Sequence, residues 1–215
     1  MPLLLVDLDN TLIDRAGAFD RWAREFAAAH ERDTGDVEWL RTADRDGFES
    51  RELLAAMIAE RFGLNAQDER AMLAELRGGL IRQLVLDDAV PRALGHARAA
   101  GWVPFVVTNG TVQQQERKLR HTGLDREMAG WVVSEGVGLR KPDPAIFELA
   151  AARAGHPLDG AVMIGDSAEA DIAGARGAGL RSVWLHRGRR WPLPTFAPDH
   201  VADSFPHAVD IVLGG

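Results

Sequence analysis

Leu3–Asp14 is written LLLVDLDNTLID. Leu3-Leu4-Leu5-Val6 is an unbroken apolar run, the pattern of a strand buried on both faces in a parallel sheet between helices. The run stops at Asp7, and Leu8, Asp9, Asn10 and Thr11 follow. Open α/β sheets place their ligands at the carboxyl ends of such strands. Two acids fixed there, two residues apart, repel each other by up to ~4 kcal/mol at a separation of about 4 Å and an effective dielectric of about 20. A fold accepts that cost where a cation or a shared proton offsets it. Asp7 and Asp9 are therefore candidate active-site residues from the first dozen positions.

Between Asp14 and Asp87 strand character disappears. Ala16–His30 carries Phe19, Trp22, Ala23, Phe26 and His30 at helical spacing. Val37–Ala43 is a short second helix. Ser50 is placed to cap a third, with Leu53, Leu54, Met57, Ile58 and Phe62 on its apolar side and Gly63 and Asn65 at its end. Gln67–Leu84 is a fourth, loosened by Gly78-Gly79. Residues 15–86 therefore form a helical bundle inserted after the first strand. Phe19, Trp22, Phe26 and Trp39 are assigned to its core; Arg15, Arg24, His30 and Arg45 are assigned to its surface.

From Asp87 onward strands and helices alternate. Asp88 is placed to cap a helix to Ala100. Strands follow at Trp102–Val107, Gly130–Ser134, Ala161–Ile164 and Arg181–Leu185, with a minor one at Val201–Ala202. Helices lie at Thr111–His121, Pro144–Ala154, Ala168–Ala178 and Pro206–Leu213. Such repetition predicts right-handed crossovers and a parallel sheet. The fold class is α/β: a three-layer, Rossmann-like core (residues 1–14 and 87–215) with a helical cap (residues 15–86).

In that sheet the strand ends face one way. Asp7 and Asp9, Thr108-Asn109-Gly110, Lys141 within Arg140–Pro144 (RKPDP), and Gly165-Asp166-Ser167 with Asp171 then converge on one crevice. Carboxylates for a divalent metal, a hydroxyl and amides as donors, and a lysine to balance phosphate charge suit phosphoryl transfer. Each segment alone also has a plainer reading. The first can be a capped turn, Thr108-Asn109-Gly110 a turn, and Asp166 a cap for the helix at Ala168.

Composition narrows the field. The formal charge of −7 argues against a nucleic-acid surface. No apolar run approaches the ~20 residues that cross a bilayer. With no cysteine there is no disulfide, thiolate zinc site or thiol nucleophile. The N-terminal apolar run is short and lacks a preceding basic region, so no secretory signal is read and a cytoplasmic location is expected. Lys118 and Lys141 are the only lysines; every other strong base is arginine. A lysine kept against that bias fits a tight site that needs a compact ammonium. Lys141 is assigned that part, Lys118 is taken as incidental, and Arg187-Gly188-Arg189-Arg190 as a solvated loop.

Taken together, the segments resemble the haloacid dehalogenase superfamily, in its phosphatase branch with a helical cap after the first strand. Its Asp-x-Asp-x-Thr motif stands here as Asp7-Leu8-Asp9-Asn10-Thr11, its strand-ending Ser or Thr as Thr108, its lysine before a helix as Lys141, and its acidic motif as Gly165-Asp166-Ser167 through Asp171. The match spans Leu3 to about Leu185. The resemblance implies that Asp7 is the nucleophile and forms an aspartyl-phosphate. Asp9 would protonate the leaving oxygen and then activate water. Asp7, the Asp9 carbonyl and Asp166 would hold Mg²⁺. Thr108, Asn109, Gly110 and Lys141 would bind phosphoryl oxygens, and Asp171 would orient Lys141 or a metal-bound water. Cap opening and closure would admit substrate and exclude water.

The expected activity is a Mg²⁺-dependent phosphatase acting on a small phosphorylated metabolite, with no nucleic-acid or membrane partner and the oligomeric state undefined. Three alternatives stay open: a phosphosugar mutase, a haloacid dehalogenase, and a non-catalytic metal-binding regulatory protein. Asp9 counts against the dehalogenase, because a halide leaves without a proton. Phosphonate hydrolysis would call for a cap lysine, and residues 15–86 contain none.

Overall fold

The computed structural model describes residues 1–214, which contain six strands: β1 (Leu3–Val6), β2 (Val103–Thr108), β3 (Trp131–Val133), β4 (Val162–Gly165), β5 (Arg181–Leu185) and β6 (His200–Ala202). They form one sheet in the order β3-β2-β1-β4-β5-β6. Every neighbouring pair is parallel, as the strand–helix alternation predicts. The chain winds outward from β1 through β2 to β3, then crosses to the other side of β1 to lay down β4. The order therefore reverses between β1 and β4, the switch point beyond whose carboxyl ends open α/β sheets bind their ligands. Asp7 N–H donates to Ile164 O at 3.0 Å, which carries the β1–β4 pairing one residue past β1 and sets Asp7 beside the end of β4.

The chain divides into two compact units, Met1–Ile13 with Leu86–Gly215, and Asp14–Val85. In the first, Leu3, Leu4, Leu5 and Val6 are all fully buried, so both faces of β1 are covered. Leu3 and Leu5 share a cluster with Phe105, Val107, Met163, Ile146 and Phe147. The last two come from a helix at Pro144–Ala154 whose first turn carries the proline and whose N-cap, Asp143, accepts from Ala145 N–H at 3.0 Å. Helices at Ala89–Ala99 and Phe205–Gly214 complete the coat. Asp88 makes no cap bond; Asp87 Oδ1 takes the Ala89 N–H at 2.8 Å instead. The segment after β4 departs further from expectation. Residues Ala168–Ala173 are wound as a π turn, because Ser167 O accepts from both Asp171 and Ile172 N–H groups. Such wide turns concentrate at functional sites.

The second unit holds α1 (Arg15–Ala29), α2 (Thr34–Asp44), α3 (Arg51–Phe62) and α4 (Ala66–Arg82). Ser50 caps α3 through Leu53 N–H at 3.1 Å. Phe19, Trp22 and Phe26 run along the buried face of α1 with ring centroids 5.3 and 5.4 Å apart. Burial of each large apolar side chain contributes about 1.5–3 kcal/mol. The Gly78-Gly79 pair does not break α4. A Cβ on Gly79 would stand 2.5 Å from the Trp22 ring, so the glycine lets the indole lie against the helix backbone.

Arg15 is not a surface residue. It is fully buried and its guanidinium forks onto both oxygens of Asp44, while Arg51 donates to Asp44 Oδ1 at 2.8 Å. One carboxylate at the end of α2 thus ties down the first residues of α1 and α3. Burial works against the Asp44 charge, but Arg15 and Arg51 outweigh it and hold this carboxyl below its ordinary range. Removing the acid strands two buried guanidiniums. Asp44→Ala should therefore cost about 3–5 kcal/mol in denaturant unfolding; a loss below about 1 kcal/mol would show that the cluster does not carry the bundle.

Candidate active site

Asp7 leaves the end of β1 with its carboxyl almost wholly buried. Lys141 Nζ lies 2.7 Å from Asp7 Oδ1, 2.6 Å from Asp171 Oδ1 and 2.6 Å from Val107 O. The loop that delivers this lysine is gripped by Asn109, whose Oδ1 accepts from Lys141 N–H at 2.9 Å and whose Nδ2 donates to Lys141 O at 3.0 Å. Asp171 is anchored by Ser167 N–H, which donates to its Oδ2 at 2.9 Å. A Cβ on Gly165 would stand 2.3 Å from the Asp171 carboxyl, so only glycine at the end of β4 leaves room for this acid.

Asp166 completes the group. Ligand oxygens of Asp7, Asp166 and Asp171 all lie within 4.8 Å of one another. Asp166 does not cap the following helix; Ser167 does, through Ala170 N–H at 3.1 Å. The Asp166 carboxylate is met instead by Arg187 at 3.1 Å and Arg189 at 3.0 Å, both on Oδ2. Arg189 and Trp184 Nε1 also donate to Asp166 O, at 2.6 and 2.9 Å. Two of the arginines assigned to a solvated loop are thus directed at an acid of the site.

Asp9 is met by Gln115, which the sequence did not mark, and by Lys118, read from the sequence as incidental. The helix at Val112–Thr122 carries Gln115 and Lys118, one turn apart and both buried. Lys118 Nζ lies 2.8 and 2.6 Å from the two Asp9 oxygens and 2.8 Å from Gln115 Oε1. Gln115 Nε2 donates to Asp9 Oδ2 at 3.1 Å, Thr108 Oγ1 at 2.7 Å and Asn109 O at 3.1 Å. Lys118 is not incidental. The lysine-poor background that marked Lys141 applied to it equally, and its i, i+3 spacing from Gln115 was the further signal. Thr108 is buried at the end of β2, and Gly110 N–H donates to Ser134 Oγ at 3.0 Å.

The charges do not balance within the buried cluster. Burial pushes Asp7 up to about 7, helped by the Asp171 and Asp9 charges and opposed by Lys141. Burial and the Asp7 charge push Asp166 up to about 6 against Arg187 and Arg189. Asp171 is raised chiefly by burial, against Lys141. For Lys141, burial favours the neutral amine, but Asp171 and Asp7 outweigh it and raise the ammonium above its ordinary value. Burial and repulsion from neighbouring acids exceed what the nearby cations offset, so each of these acids holds its proton more tightly.

A raised folded-state pKa contributes stability that is full below the unfolded value and is lost as pH rises through the folded value. For Asp7 and Asp166 that loss runs from about pH 4 to about pH 7. Melting temperatures of metal-free protein should accordingly fall over this range, and fall less in Asp7→Asn; equal slopes would remove Asp7 as a source.

Comparison with known proteins follows the same lines. The family model for a haloacid dehalogenase-like hydrolase matches residues 1–179. The chain is 31% identical to the phosphoserine phosphatase of Thermus thermophilus, over 93% of this chain and 94% of that one. It superposes on the magnesium-bound HAD-hydrolase YfnB of Bacillus subtilis with a TM-score of 0.81 at 22% identity, covering 98% of each chain. It superposes on the 2-haloacid dehalogenase of Pseudomonas syringae pv. Tomato with a TM-score of 0.66 at 26% identity, covering 100% of this chain and 98% of that one. No helix among the described residues is long and apolar enough to cross a membrane. Sheet order, ordered motifs and the family match agree: the chain belongs to the haloacid dehalogenase-like hydrolases.

Proposed function

We propose that the protein is a Mg²⁺-dependent phosphatase that hydrolyses a small phosphorylated metabolite through an aspartyl-phosphate on Asp7. The observation that carries this reading is the pairing of Asp7 with a buried lysine, within 4.8 Å of two further acids, at the β1–β4 switch point. Similarity to a named phosphoserine phosphatase over nearly the whole chain supports phosphate-ester chemistry. The named 2-haloacid dehalogenase of similar fold keeps the halide reaction in view, but Asp9 supplies an acid that a halide does not need.

The residues fit a hard divalent cation. Among the described residues, protein donors fall on Asp7 Oδ1 and Asp166 Oδ2, which leaves the other oxygen of each carboxylate for a metal. Asp7, the Asp9 carbonyl and Asp166 would hold Mg²⁺, which prefers oxygen ligands. When bound, it would neutralise phosphoryl charge and lower the repulsion between substrate and nucleophile. Asp171 has both oxygens engaged, by Lys141 and by Ser167 N–H, so its part is to orient the lysine.

In the first half-reaction an Asp7 oxygen bonds to phosphorus as the ester P–O bond breaks, and Asp9 gives its proton to the departing oxygen. In the second, water bonds to phosphorus, its proton passes to Asp9, and the Asp7–phosphorus bond breaks to free phosphate. Lys141, beside Asp7, would offset phosphoryl charge, and Thr108 and the Asn109 backbone N–H would hold phosphoryl oxygens. Gly110 contributes the turn, its own amide being engaged by Ser134.

The test is phosphate release from a panel of phosphorylated metabolites with Mg²⁺. Asp7→Asn should lower turnover by about 10³-fold or more, and Asp9→Asn by about 10²–10⁴-fold. Unchanged release in both variants would place the activity elsewhere, and halide release from a 2-haloacid that survives Asp9→Ala would restore the dehalogenase. Chelation should abolish the activity, Mg²⁺ restore it and Ca²⁺ suppress it, because calcium takes more ligands in looser geometry. Equal rates with both ions would count against this metal site.

A further inference from the structure

Lys118 grips Asp9 at both carboxylate oxygens, from a helix whose Gln115 also reaches Asp9, Thr108 and the Asn109 carbonyl. An exposed ion pair between two long side chains contributes little. This one differs in two ways. The lysine is buried, and its ammonium is seated by a second bond, to Gln115 Oε1 at 2.8 Å. The chain also uses arginine for every strong base except Lys118 and Lys141, and each of these two faces one acid of the Asp7-Leu8-Asp9 pair. A planar guanidinium would need a wider site than the compact ammonium found here.

We propose that Lys118, seated by Gln115, is a positioning residue that holds the Asp9 carboxyl in its reactive orientation and is the counter-ion of the carboxylate formed when Asp9 gives up its proton. The inference rests on the phosphatase reading. As the ester P–O bond breaks and the Asp7–phosphorus bond forms, the Asp9 proton passes to the leaving oxygen and its negative charge stays on Asp9, beside Lys118. The attraction is therefore stronger in the transition state than in the protonated ground state, which is the condition for acceleration. In the second half-reaction the same carboxylate, held in place, receives a proton from water as the oxygen of that water bonds to phosphorus and the Asp7–phosphorus bond breaks. Lys118 keeps its own proton throughout.

Wild type, Lys118→Met and Gln115→Met are compared with Mg²⁺ on an alkyl phosphate, glycerol 2-phosphate, and on p-nitrophenyl phosphate, whose leaving group departs without a proton. For Lys118→Met on the alkyl ester, kcat should fall about 10²-fold with KM changed less than about threefold. On p-nitrophenyl phosphate the first turnover should stay near the wild-type rate while the steady state slows. A burst of p-nitrophenol equal to the enzyme concentration should then appear. Gln115→Met should show the same split, more weakly, and carries the test if Lys118→Met does not fold. Equal losses on both esters without a burst, in variants with the wild-type melting temperature, would make Lys118 structural only and overturn the inference, as would unchanged kinetics. Absence of phosphate release from wild type on either ester would overturn the phosphatase reading beneath it.

Discussion

A single buried ammonium serves more carboxylates than it can neutralise. Lys141 touches Asp7 and Asp171, and Asp166 stands within the same few ångströms. Burying even a matched ion pair is close to neutral at best, because desolvation consumes the Coulombic gain. Three acids around one lysine go beyond that, and the surrounding structure works to hold them. Asn109 clasps the lysine's own peptide, Gly165 yields space to Asp171, Ser167 N–H satisfies that acid, and two arginines reach Asp166. The acids gathered in this way are oxygen donors of the kind that a hard cation takes.

The two acids of Asp7-Leu8-Asp9 are treated differently by their surroundings. Asp7 is buried and its neighbours include two further acids, which favour its proton. Asp9 is more open and lies against Lys118 and Gln115. Pairs of titratable groups whose environments diverge in this way are the ones that divide a reaction between them. In the proposed reaction Asp7 must meet phosphorus as a carboxylate, which a bound dication would favour over the proton, and Asp9 must exchange a proton with oxygen.

Much of this was legible in the order of residues. An unbroken apolar run can only be a strand covered on both faces or part of a buried helix, and the acids that end Leu3–Val6 choose between them. Regular alternation after Asp87 then predicts the parallel sheet. Helical spacing of Phe19, Trp22 and Phe26 predicts the face that α1 buries, and Ser50 predicts the start of α3. Partners far apart in the chain were not legible. Nothing local to Arg15 announces Asp44, because a fork onto a carboxylate depends on where α2 ends in space. Nothing local to Arg187 and Arg189 announces Asp166. The π turn at Ala168–Ala173 is equally silent in the sequence; in the fold it accompanies the seating of Asp171 against Ser167 N–H and Lys141.

By itself, the sequence determined the parallel α/β architecture, the position of the helical insertion and the identity of the acids and the lysine that end the strands. Those features follow from periodicity and from the directional sense of a parallel sheet, both local properties of the chain. Only the tertiary structure decided which charge faces which: Lys141 on Asp7 and Asp171, Lys118 on Asp9, Arg187 and Arg189 on Asp166, Arg15 and Arg51 on Asp44. Coulombic pairing acts through distance in space, and a one-dimensional pattern does not contain that distance.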